Sequence, residues 1–344
     1  MDLVVKIGYV TLKFLWLLHE ERKIYLGIRF LSSKFHPFSH HNESPHVFQE
    51  TKNSSTLPPR QASPVPSDGM NLLLSSGVLY KKPPQVVAEL ARRVGFDGIE
   101  LVIGYGFQNV SGEREIEAIL KRGPIGGIHA PFYRLRGWGH PFDALLHTID
   151  LAEKYRIPLV TFHPPRWFDL EFGFYRRLKA IRDFQERFGN RFLTIAIENM
   201  PVRPGIPRIG PYFLQSPASL LKFADKHNLA LTLDLTHLGT LEKDFFGTFR
   251  AFMSTRRVRN IHFSDYKNGQ EHLFPGRGAL PLIEILETLK QTHYNGAVTL
   301  EIFPREIEGD FKEMMRRLFT ALEFITSRIG DLREPHPKEA AHGI

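Results

Sequence analysis

Six short apolar runs in this chain each end in a side chain that can bind a metal ion. The run ends lie 28 to 39 residues apart, which is about the length of one strand–helix–strand unit. Parallel strands that close into a barrel bring their carboxyl ends to one mouth. The spacing therefore predicts that imidazole and carboxylate groups from distant segments converge in one small volume. The six run ends are His129, His163, Glu198, Asp234, His262 and Glu301.

An alternation of apolar strands and amphipathic helices begins at Met70 and continues to about residue 328. The strand segments are continuous apolar runs, as expected for strands that are buried on both faces. Eight strands, each followed by a helix, predict an α/β fold of the (β/α)8, or TIM barrel, class. The alternative is an open doubly wound sheet, but no G-x-G-x-x-G turn follows the first strand, so a nucleotide-binding sheet has no support. We predict strands at 70–77, 98–102, 230–234, 259–263 and 297–302, three more strands ending at His129, His163 and Glu198, and helices at 83–95, 113–121, 143–155, 171–188, 216–228, 243–254, 280–292 and 310–328.

The N-terminal part of the chain differs in composition from the rest. Residues 32–69 are rich in Ser, Pro, His and Asn and have no helical or strand period, which predicts a largely disordered linker. An apolar run near the start is interrupted by Lys13 and has no signal-peptide cleavage site, so we expect a cytoplasmic protein. The predicted domains are an N-terminal extension over 1–69, a barrel over 70–330 and a polar tail over 331–344.

The composition limits the classes of ligand and partner. The chain has 344 residues and no cysteine, so disulfides and thiolate metal sites are excluded, and a metal would be bound through nitrogen and oxygen. The formal net charge of +8 mildly favours anionic partners such as sugar phosphates or nucleic acid. No apolar stretch approaches the roughly 20 residues of a transmembrane helix, so we expect no membrane partner.

Four of the strand-end residues form the strongest predicted metal site: Glu198, Asp234, His262 and Glu301. Two or three carboxylates with one imidazole suit Mn²⁺, Mg²⁺, Co²⁺ or Zn²⁺ and leave positions open for substrate oxygens. Carboxylates that converge at a barrel mouth would repel each other without a cation. The alternative, for each residue taken alone, is a side chain that a neighbouring loop satisfies.

His129 and His163 end adjacent predicted strands and form a second candidate metal group. Both imidazoles are placed to share a further cation with Glu198. The alternative is a pair of core histidines that hydrogen-bond to the backbone. Two loops that follow these strands, 132–142 and 164–177, are rich in aromatic residues and arginine. Such loops stack on bases, cover a sugar, or simply pack against the outer helices.

Four more residues near the same mouth are candidates for substrate binding. His237 follows the sixth strand, where a strand-end turn would place it at the rim. His272 and Arg277 lie after the seventh strand, and Arg277 stands between two glycines in a loop position where barrels often bind phosphate. Glu100 ends the second strand and either lines the site or supports a ligating side chain.

This chain resembles the xylose isomerase-like TIM-barrel superfamily in an ordered set of motifs: IHAPFY, FHPP, IENMP, LDLTH, IHFSD, HLFPGRG and LEIF. That superfamily joins sugar and sugar-phosphate isomerases and epimerases to endonuclease IV. The resemblance covers about residues 70–305 and leaves 1–69 unexplained. As a set, the motifs are specific for the superfamily and weak indicators of a substrate.

The epimerase branch of the superfamily implies one divalent-metal site on the fifth to eighth strands. Its four ligands match Glu198, Asp234, His262 and Glu301, and the two glutamates would also transfer protons. The implied activity is isomerisation or epimerisation of a small sugar or sugar phosphate through a metal-stabilised enediolate.

The endonuclease branch implies a trinuclear zinc site and cleavage of abasic-site DNA. Its additional ligands match His129, His163, His237 and His272. The aspartate expected two residues before the last of these is Gln270, a poorer zinc ligand. The loop after the second strand also lacks arginine and lysine, which disfavours DNA. The sequence therefore favours the isomerase or epimerase over the zinc phosphodiesterase and over a third class, a non-catalytic sugar-binding barrel.

Overall fold

The computed structural model describes residues 69–167, 169–190, 192–202, 211–241 and 244–330. The predictions of a disordered extension and a polar tail therefore lie outside the described residues. Eight parallel strands close into a barrel, and two more form a separate hairpin. The barrel strands are β1 (Asn71–Ser75), β2 (Gly98–Val102), β3 (Ile125–His129), β4 (Leu159–Phe162), β5 (Thr194–Glu198), β6 (Ala230–Asp234), β7 (Val258–Phe263) and β10 (Ala297–Leu300), and the hairpin strands are β8 (Asp265–Lys267) and β9 (Gln270–Leu273).

Barrel closure is made by β1, which pairs in parallel with both β2 and β10. The sheet then has no edge strand, so the predicted (β/α)8 barrel is confirmed and the open doubly wound sheet is excluded. The carboxyl ends of all eight barrel strands lie at the same mouth, as the spacing of the apolar runs predicts. β4 and β10 are shorter than predicted, so His163 and Glu301 are the first loop residues after their strands.

The helices surround the barrel because each has one apolar face to bury. The last helix, for example, buries Leu318, Leu322, Ile325 and Ile329 at spacings of three or four residues. Among the described residues, no helix is both long and apolar enough to span a membrane. The helices are α1 (Pro84–Val94), α2 (Glu113–Leu120), α3 (Pro141–Lys154), α4 (Phe172–Ala180), α5 (Phe184–Arg187), α6 (Pro217–Lys226), α7 (Leu235–Gly239), α8 (Phe245–Ser254), α9 (Leu282–Gln291) and α10 (Phe311–Ile329), with 3-10 helices at Ser76–Leu79, Tyr105–Phe107 and Pro304–Ile307.

A layer of polar side chains crosses the interior of the barrel below its mouth. The Thr161 and Thr232 hydroxyls are 2.8 Å apart, and Thr299 Oγ1 donates to Asn260 Oδ1 over 2.9 Å. All four residues are fully buried. Buried polar groups are stable only when they are hydrogen-bonded, so this layer fixes the strands that carry the mouth residues.

The single helix predicted over 171–188 is wrong, because the structure contains α4 and α5 with a break between them. Ile181 is extended, and the Asp183 side chain accepts a hydrogen bond from the Glu186 backbone N–H over 2.8 Å. Asp183 also accepts from the Asn228 amide at 2.9 Å. Aspartate is a strong helix N-cap, so it begins a new helix here instead of continuing the previous one.

Two small elements near the mouth are absent from the sequence prediction. The hairpin of β8 and β9 turns at Asn268 and Gly269, both with positive φ, which is the usual turn for Asn-Gly between two strands. The short helix α7 follows β6 directly and begins at the side chain of Asp234. These elements carry His272 and His237, so both histidines are held in regular structure.

Candidate metal centre

Glu198 lies at the middle of a cluster of imidazoles at the barrel mouth. It is the last residue of β5 and is almost fully buried. Its Oε2 is 2.9 Å from His129 Nε2 and 3.2 Å from His163 Nε2. Its Oε1 is 3.2 Å from His237 Nδ1 and 3.4 Å from His262 Nδ1. One carboxylate therefore contacts two separate pairs of histidines.

Asp234 and Glu301 complete the four-residue group predicted from the sequence. Asp234 and His262 are register partners on β6 and β7, and Asp234 Oδ2 is 3.7 Å from His262 Nδ1. Glu301 Oε2 is 2.8 Å from the same nitrogen. Because Glu198 also contacts that nitrogen, the structure brings all four side chains to one point.

Among the residues that the structure describes, three overlapping groups of ligand atoms lie at the mouth. In each group, the nitrogen and oxygen atoms lie within 4.8 Å of one another. Glu198 belongs to two of the groups, and Asp234 also belongs to two. The groups are His129, His163 and Glu198; Glu198, Asp234 and His262; and Asp234, His237 and His272.

The backbone around Asp234 aims its carboxylate. Oδ1 caps α7 by accepting from the His237 N–H at 2.7 Å and from the Thr236 hydroxyl at 2.8 Å. This leaves Oδ2 on the side of His262. Asn199, on the neighbouring strand end, accepts from the Asp234 N–H at 2.7 Å and donates to its carbonyl at 3.0 Å. Asn199 was not predicted as a site residue, although it follows Glu198 directly.

His272 reaches the mouth from the hairpin, not from a barrel strand. Its φ of 54° is in the left-handed region, which is uncommon for a residue other than glycine. Its Nδ1 lies 3.3 Å from the Glu301 carbonyl oxygen, and its own carbonyl accepts from the Phe303 N–H at 2.9 Å. The hairpin is therefore joined to the loop after β10, which fixes the imidazole beside His237, with ring centres 5.5 Å apart.

Buried atoms without hydrogen bonds test whether these residues fit a cation. Within the part of the chain that the structure describes, Asp234 Oδ2 and His262 Nδ1 are buried and make no hydrogen bond. Both point into the four-residue group, and an unmet buried polar atom is costly. His129 Nδ1 is 2.9 Å from the Ala130 carbonyl oxygen, so Nε2, which contacts Glu198 Oε2 at 2.9 Å, is the ring nitrogen available to a cation. A divalent cation with nitrogen and oxygen ligands satisfies all of these atoms, so the residues fit such a group.

The electrostatics of the protein without a cation are dominated by charge pairing. Burial would lower the pKa of His262, but Glu100, Glu301 and Glu198 raise that pKa well above its ordinary value. Burial would raise the pKa of Glu198, but His262 and His163 hold it well below its usual range. The carboxylates are therefore ionised at neutral pH. The histidines carry protons on the ring nitrogens that face these carboxylates. A bound cation would displace those protons and take the same nitrogen lone pairs.

Glu100 lies behind His262, deeper in the barrel. It is fully buried on β2, and its Oε2 is 2.9 Å from His262 Nε2. Its Oε1 accepts from Asn260 Nδ2 at 3.0 Å and from the Thr161 hydroxyl at 3.3 Å. Both oxygens contact protein groups, so the substrate contact considered for Glu100 has no support here, and the alternative role of supporting a ligating side chain remains.

The Gly-Arg-Gly segment is closed around an aspartate. The N–H groups of Gly276 and Gly278 both donate to Asp265 Oδ2, at 3.0 and 2.7 Å. A Cβ atom at Gly278 would collide with the Asp265 carboxylate, so glycine here allows the backbone to approach Asp265 closely. Arg277 pairs with the buried Glu306 carboxylate at 2.7 Å while most of its side chain stays exposed. An anion contact by Arg277 stays a prediction.

Aromatic side chains border the cluster on two sides. The Phe132 ring, 41 % exposed, stacks on His163 with centres 5.1 Å apart. The Phe303 ring, also exposed, meets His272 edge-on at 5.2 Å. Trp138, from the same aromatic loop as Phe132, is instead buried in the core. The loop therefore places one aromatic side chain at the mouth and another in the core. Both placements are among those that the sequence analysis considered.

The chain belongs to the xylose isomerase-like TIM barrel family, whose sequence profile matches residues 88–321. The resemblance inferred from the motifs is thus confirmed. An uncharacterized protein of Mycobacterium leprae is 29% identical over 253 residues, which is 67% of this chain and 87% of that protein. An uncharacterized protein of Mycobacterium tuberculosis is 28% identical over 264 residues, with the same two coverages of 67% and 87%.

Solved structures show the same fold. A D-tagatose 3-epimerase-like protein superposes with a TM-score of 0.55 at 22% identity, over 76% of this chain and 100% of that one. D-psicose 3-epimerase from Clostridium cellulolyticum superposes with a TM-score of 0.56 at 18% identity, over 76% and 99% of the two chains. At these identities the comparison establishes the barrel architecture, and the chemistry has to be argued from the side chains.

Proposed function

We propose that this protein is a divalent-cation-dependent isomerase or epimerase that moves a proton between carbon atoms, or between the two faces of one carbon atom, of a small sugar or sugar phosphate. The observation that carries the proposal is the convergence of Glu198, Asp234 and Glu301 on His262 Nδ1, within 3.4, 3.7 and 2.8 Å. The names of the structurally similar epimerases support the same class of reaction.

These four side chains would hold the cation. When bound, a divalent cation acts as a Lewis acid that stabilises negative charge on adjacent carbonyl and hydroxyl oxygens of a sugar. The protein contributes buried carboxylates, since Glu198 and Asp234 are at most 1% exposed. Burial strengthens the attraction between these carboxylates and any cation.

Glu198 and Glu301 would move the proton. Both carboxylates are ionised at neutral pH, because charge pairing with His262 lowers the pKa of each against the opposing effect of burial. Glu198 ends β5 and Glu301 follows β10, which are not neighbours in the barrel, and both carboxylates contact His262 Nδ1, at 3.4 and 2.8 Å. One carboxylate removes the proton from carbon, and the other returns a proton. Glu301 is the more accessible, with 23% of its side chain exposed.

The neighbouring side chains would orient the sugar. His237 and His272 lie beside Asp234 and offer hydrogen-bonding nitrogens at the rim. The exposed Phe132 face offers an apolar surface for the C–H face of a sugar ring. Arg277 is the candidate for a phosphate on the substrate.

Hydrogen exchange at carbon tests the proposal. The full chain is incubated with Mn²⁺ in D₂O and a panel of aldoses, ketoses and their phosphates, and deuterium incorporation is followed by NMR. We expect a substrate whose carbon-bound hydrogen exchanges, and a loss of rate by about 10²- to 10⁴-fold in Glu301→Gln when Mn²⁺ is raised until its binding to the variant is saturated. Glu284→Gln, an exposed change on α9, is the matched control. Absence of exchange across the panel would contradict the proposal.

A second candidate function is a zinc phosphodiesterase that acts on abasic-site DNA. The specific observation in its favour is that His129, His163, His237 and His272 form two further ligand groups around the central one. Two or more metal ions clamp the attacking and leaving oxygens of a phosphodiester. EDTA-sensitive cleavage of an abasic-site duplex, with two or three zinc ions per chain, would favour this function. A non-catalytic sugar-binding barrel predicts instead that Glu198→Gln binds sugar as well as the parent protein.

A further inference from the structure

The imidazole of His262 is held between carboxylates on both of its nitrogens. Nδ1 faces the cation group, and Nε2 faces Glu100 at 2.9 Å from the opposite side. Both His262 and Glu100 are fully buried. Within the described residues, no hydrogen bond to another group competes for Nε2, so the Glu100 carboxylate at 2.9 Å is the acceptor available to it.

The two oxygens of Glu100 have different environments. Oε1 accepts hydrogen bonds from Asn260 and Thr161, which belong to the polar layer in the barrel interior. Oε2 has no hydrogen-bond donor among the described residues apart from the nearby His262 ring. A fully buried carboxylate is costly unless it is paired, so the placement of Oε2 requires positive charge or a proton from His262.

We propose that Glu100 is a positioning residue for the metal centre, which selects the His262 tautomer protonated at Nε2. A proton held at Nε2 by Glu100 leaves the Nδ1 lone pair directed at Asp234 and Glu301. A carboxylate behind a ligating histidine fixes the ring and makes its free nitrogen a stronger ligand. This inference rests on the proposed function only in assuming that the four-residue group binds a cation.

Glu100→Gln is the informative substitution because it keeps the size of the side chain and removes its charge. We expect the affinity for Co²⁺ to fall by about 10- to 100-fold, the usual effect of losing such a partner. The visible absorption bands of bound Co²⁺ should also change, because the basicity of the His262 ligand changes. A purely structural role would lower stability and leave the spectrum of bound Co²⁺ unaltered. Glu100→Asp, which keeps the charge, should recover part of the affinity.

Thr299→Val is the matched control. Thr299 belongs to the same buried layer, but its hydroxyl donates to Asn260 and to neither Glu100 nor His262. We expect this variant to lose stability and to bind Co²⁺ within about twofold of the parent protein.

The outcomes separate this inference from the proposed function. Weaker Co²⁺ binding with an altered Co²⁺ spectrum in Glu100→Gln, without any sugar exchange in the parent protein, would uphold the positioning role and count against the isomerase. Parent-like affinity and spectrum in Glu100→Gln would overturn the positioning role alone. A parent protein that binds no Co²⁺ would overturn both.

A second measurement serves if Glu100→Gln does not fold. The parent protein is loaded with Zn²⁺, and the ¹⁵N NMR signals of its histidine rings are recorded, with His262→Asn identifying those of His262. We expect a protonated Nε2 and an unprotonated Nδ1. A protonated Nδ1 in the loaded protein would overturn the proposal.

Discussion

Asp234 performs two tasks with its two oxygens. One oxygen caps α7 through the His237 N–H, and the other faces His262 without a hydrogen bond among the described residues. The first task needs only an acceptor, and asparagine is as good a helix cap as aspartate. The second task needs charge. A substitution at this residue can therefore separate the local fold from cation binding.

Asp234→Asn is predicted to keep the fold and lose the cation. With EDTA present, we expect the variant to fold with α7 capped but to melt below the parent protein at neutral pH, because the cap is retained while the charge that pairs with His237 is lost. With Mn²⁺ at 100 times the parent Kd, the parent protein should gain about 2.7 kcal/mol, and the variant should gain almost nothing. Thermal denaturation with and without Mn²⁺ measures both. An equal Mn²⁺-dependent gain in the two proteins would contradict the assignment.

The protonation of His237 gives a pH dependence with a definite sign. Burial alone would lower the pKa of His237, but Asp234 and Glu198 raise it to about 10 in the protein without a cation. The pKa in the unfolded chain is about 6.5. The folded state therefore binds this proton more tightly, so its contribution to stability is complete below pH 6.5 and is lost as the pH rises through 10.

We accordingly expect the free energy of unfolding, measured by urea denaturation in EDTA, to fall between pH 7 and 10. The fall should be smaller in His237→Gln, which has no proton to lose. A free energy of unfolding that increased over this range would show that the buried carboxylates do not hold protons on the imidazoles.

At the scale of elements, two exposed glycines test the local backbone. Gly173 lies in α4 and Gly269 in the hairpin turn with φ of 77°, and a Cβ atom at either would meet nothing within 4 Å. Any effect of alanine is therefore conformational. Gly173→Ala should stabilise the protein by about 0.5–1 kcal/mol, and Gly269→Ala should destabilise it by about 1–2 kcal/mol. Urea midpoints measure both, and a stabilising Gly269→Ala would contradict the turn geometry.

The elements that the sequence predicts well are those with a strong period. The barrel strands and most outer helices are recognisable because each buries a regular set of apolar residues. The break at Asp183 is hidden because aromatic and apolar residues continue on both sides of it. The hairpin after β7 has a readable signal, Asn268-Gly269, but its strands are short and not alternating.

At the scale of the whole molecule, closure of the barrel brings residues that are regularly spaced in the sequence together in one candidate metal site. The strand-end residues were predictable as a group because parallel strands in a closed sheet share one mouth. The side chains that contact these residues could not be predicted, because those contacts depend on the register between strands across the barrel. Glu100 contacts Asn260 and His262 across some 160 residues of sequence, and nothing local marks the pairing. Asn199 could have been suspected only from its position after Glu198.

The most direct test of this account is the number of divalent cations bound by the purified full chain, measured by elemental analysis beside Asp234→Asn. We expect one tightly held cation per chain in the parent protein and its loss in the variant. Two or three zinc ions per chain would move the assignment to the phosphodiesterase. A parent protein with no bound cation, and no change in melting temperature on adding Mn²⁺, Co²⁺ or Zn²⁺, would contradict the claim that Glu198, Asp234, His262 and Glu301 form a metal centre.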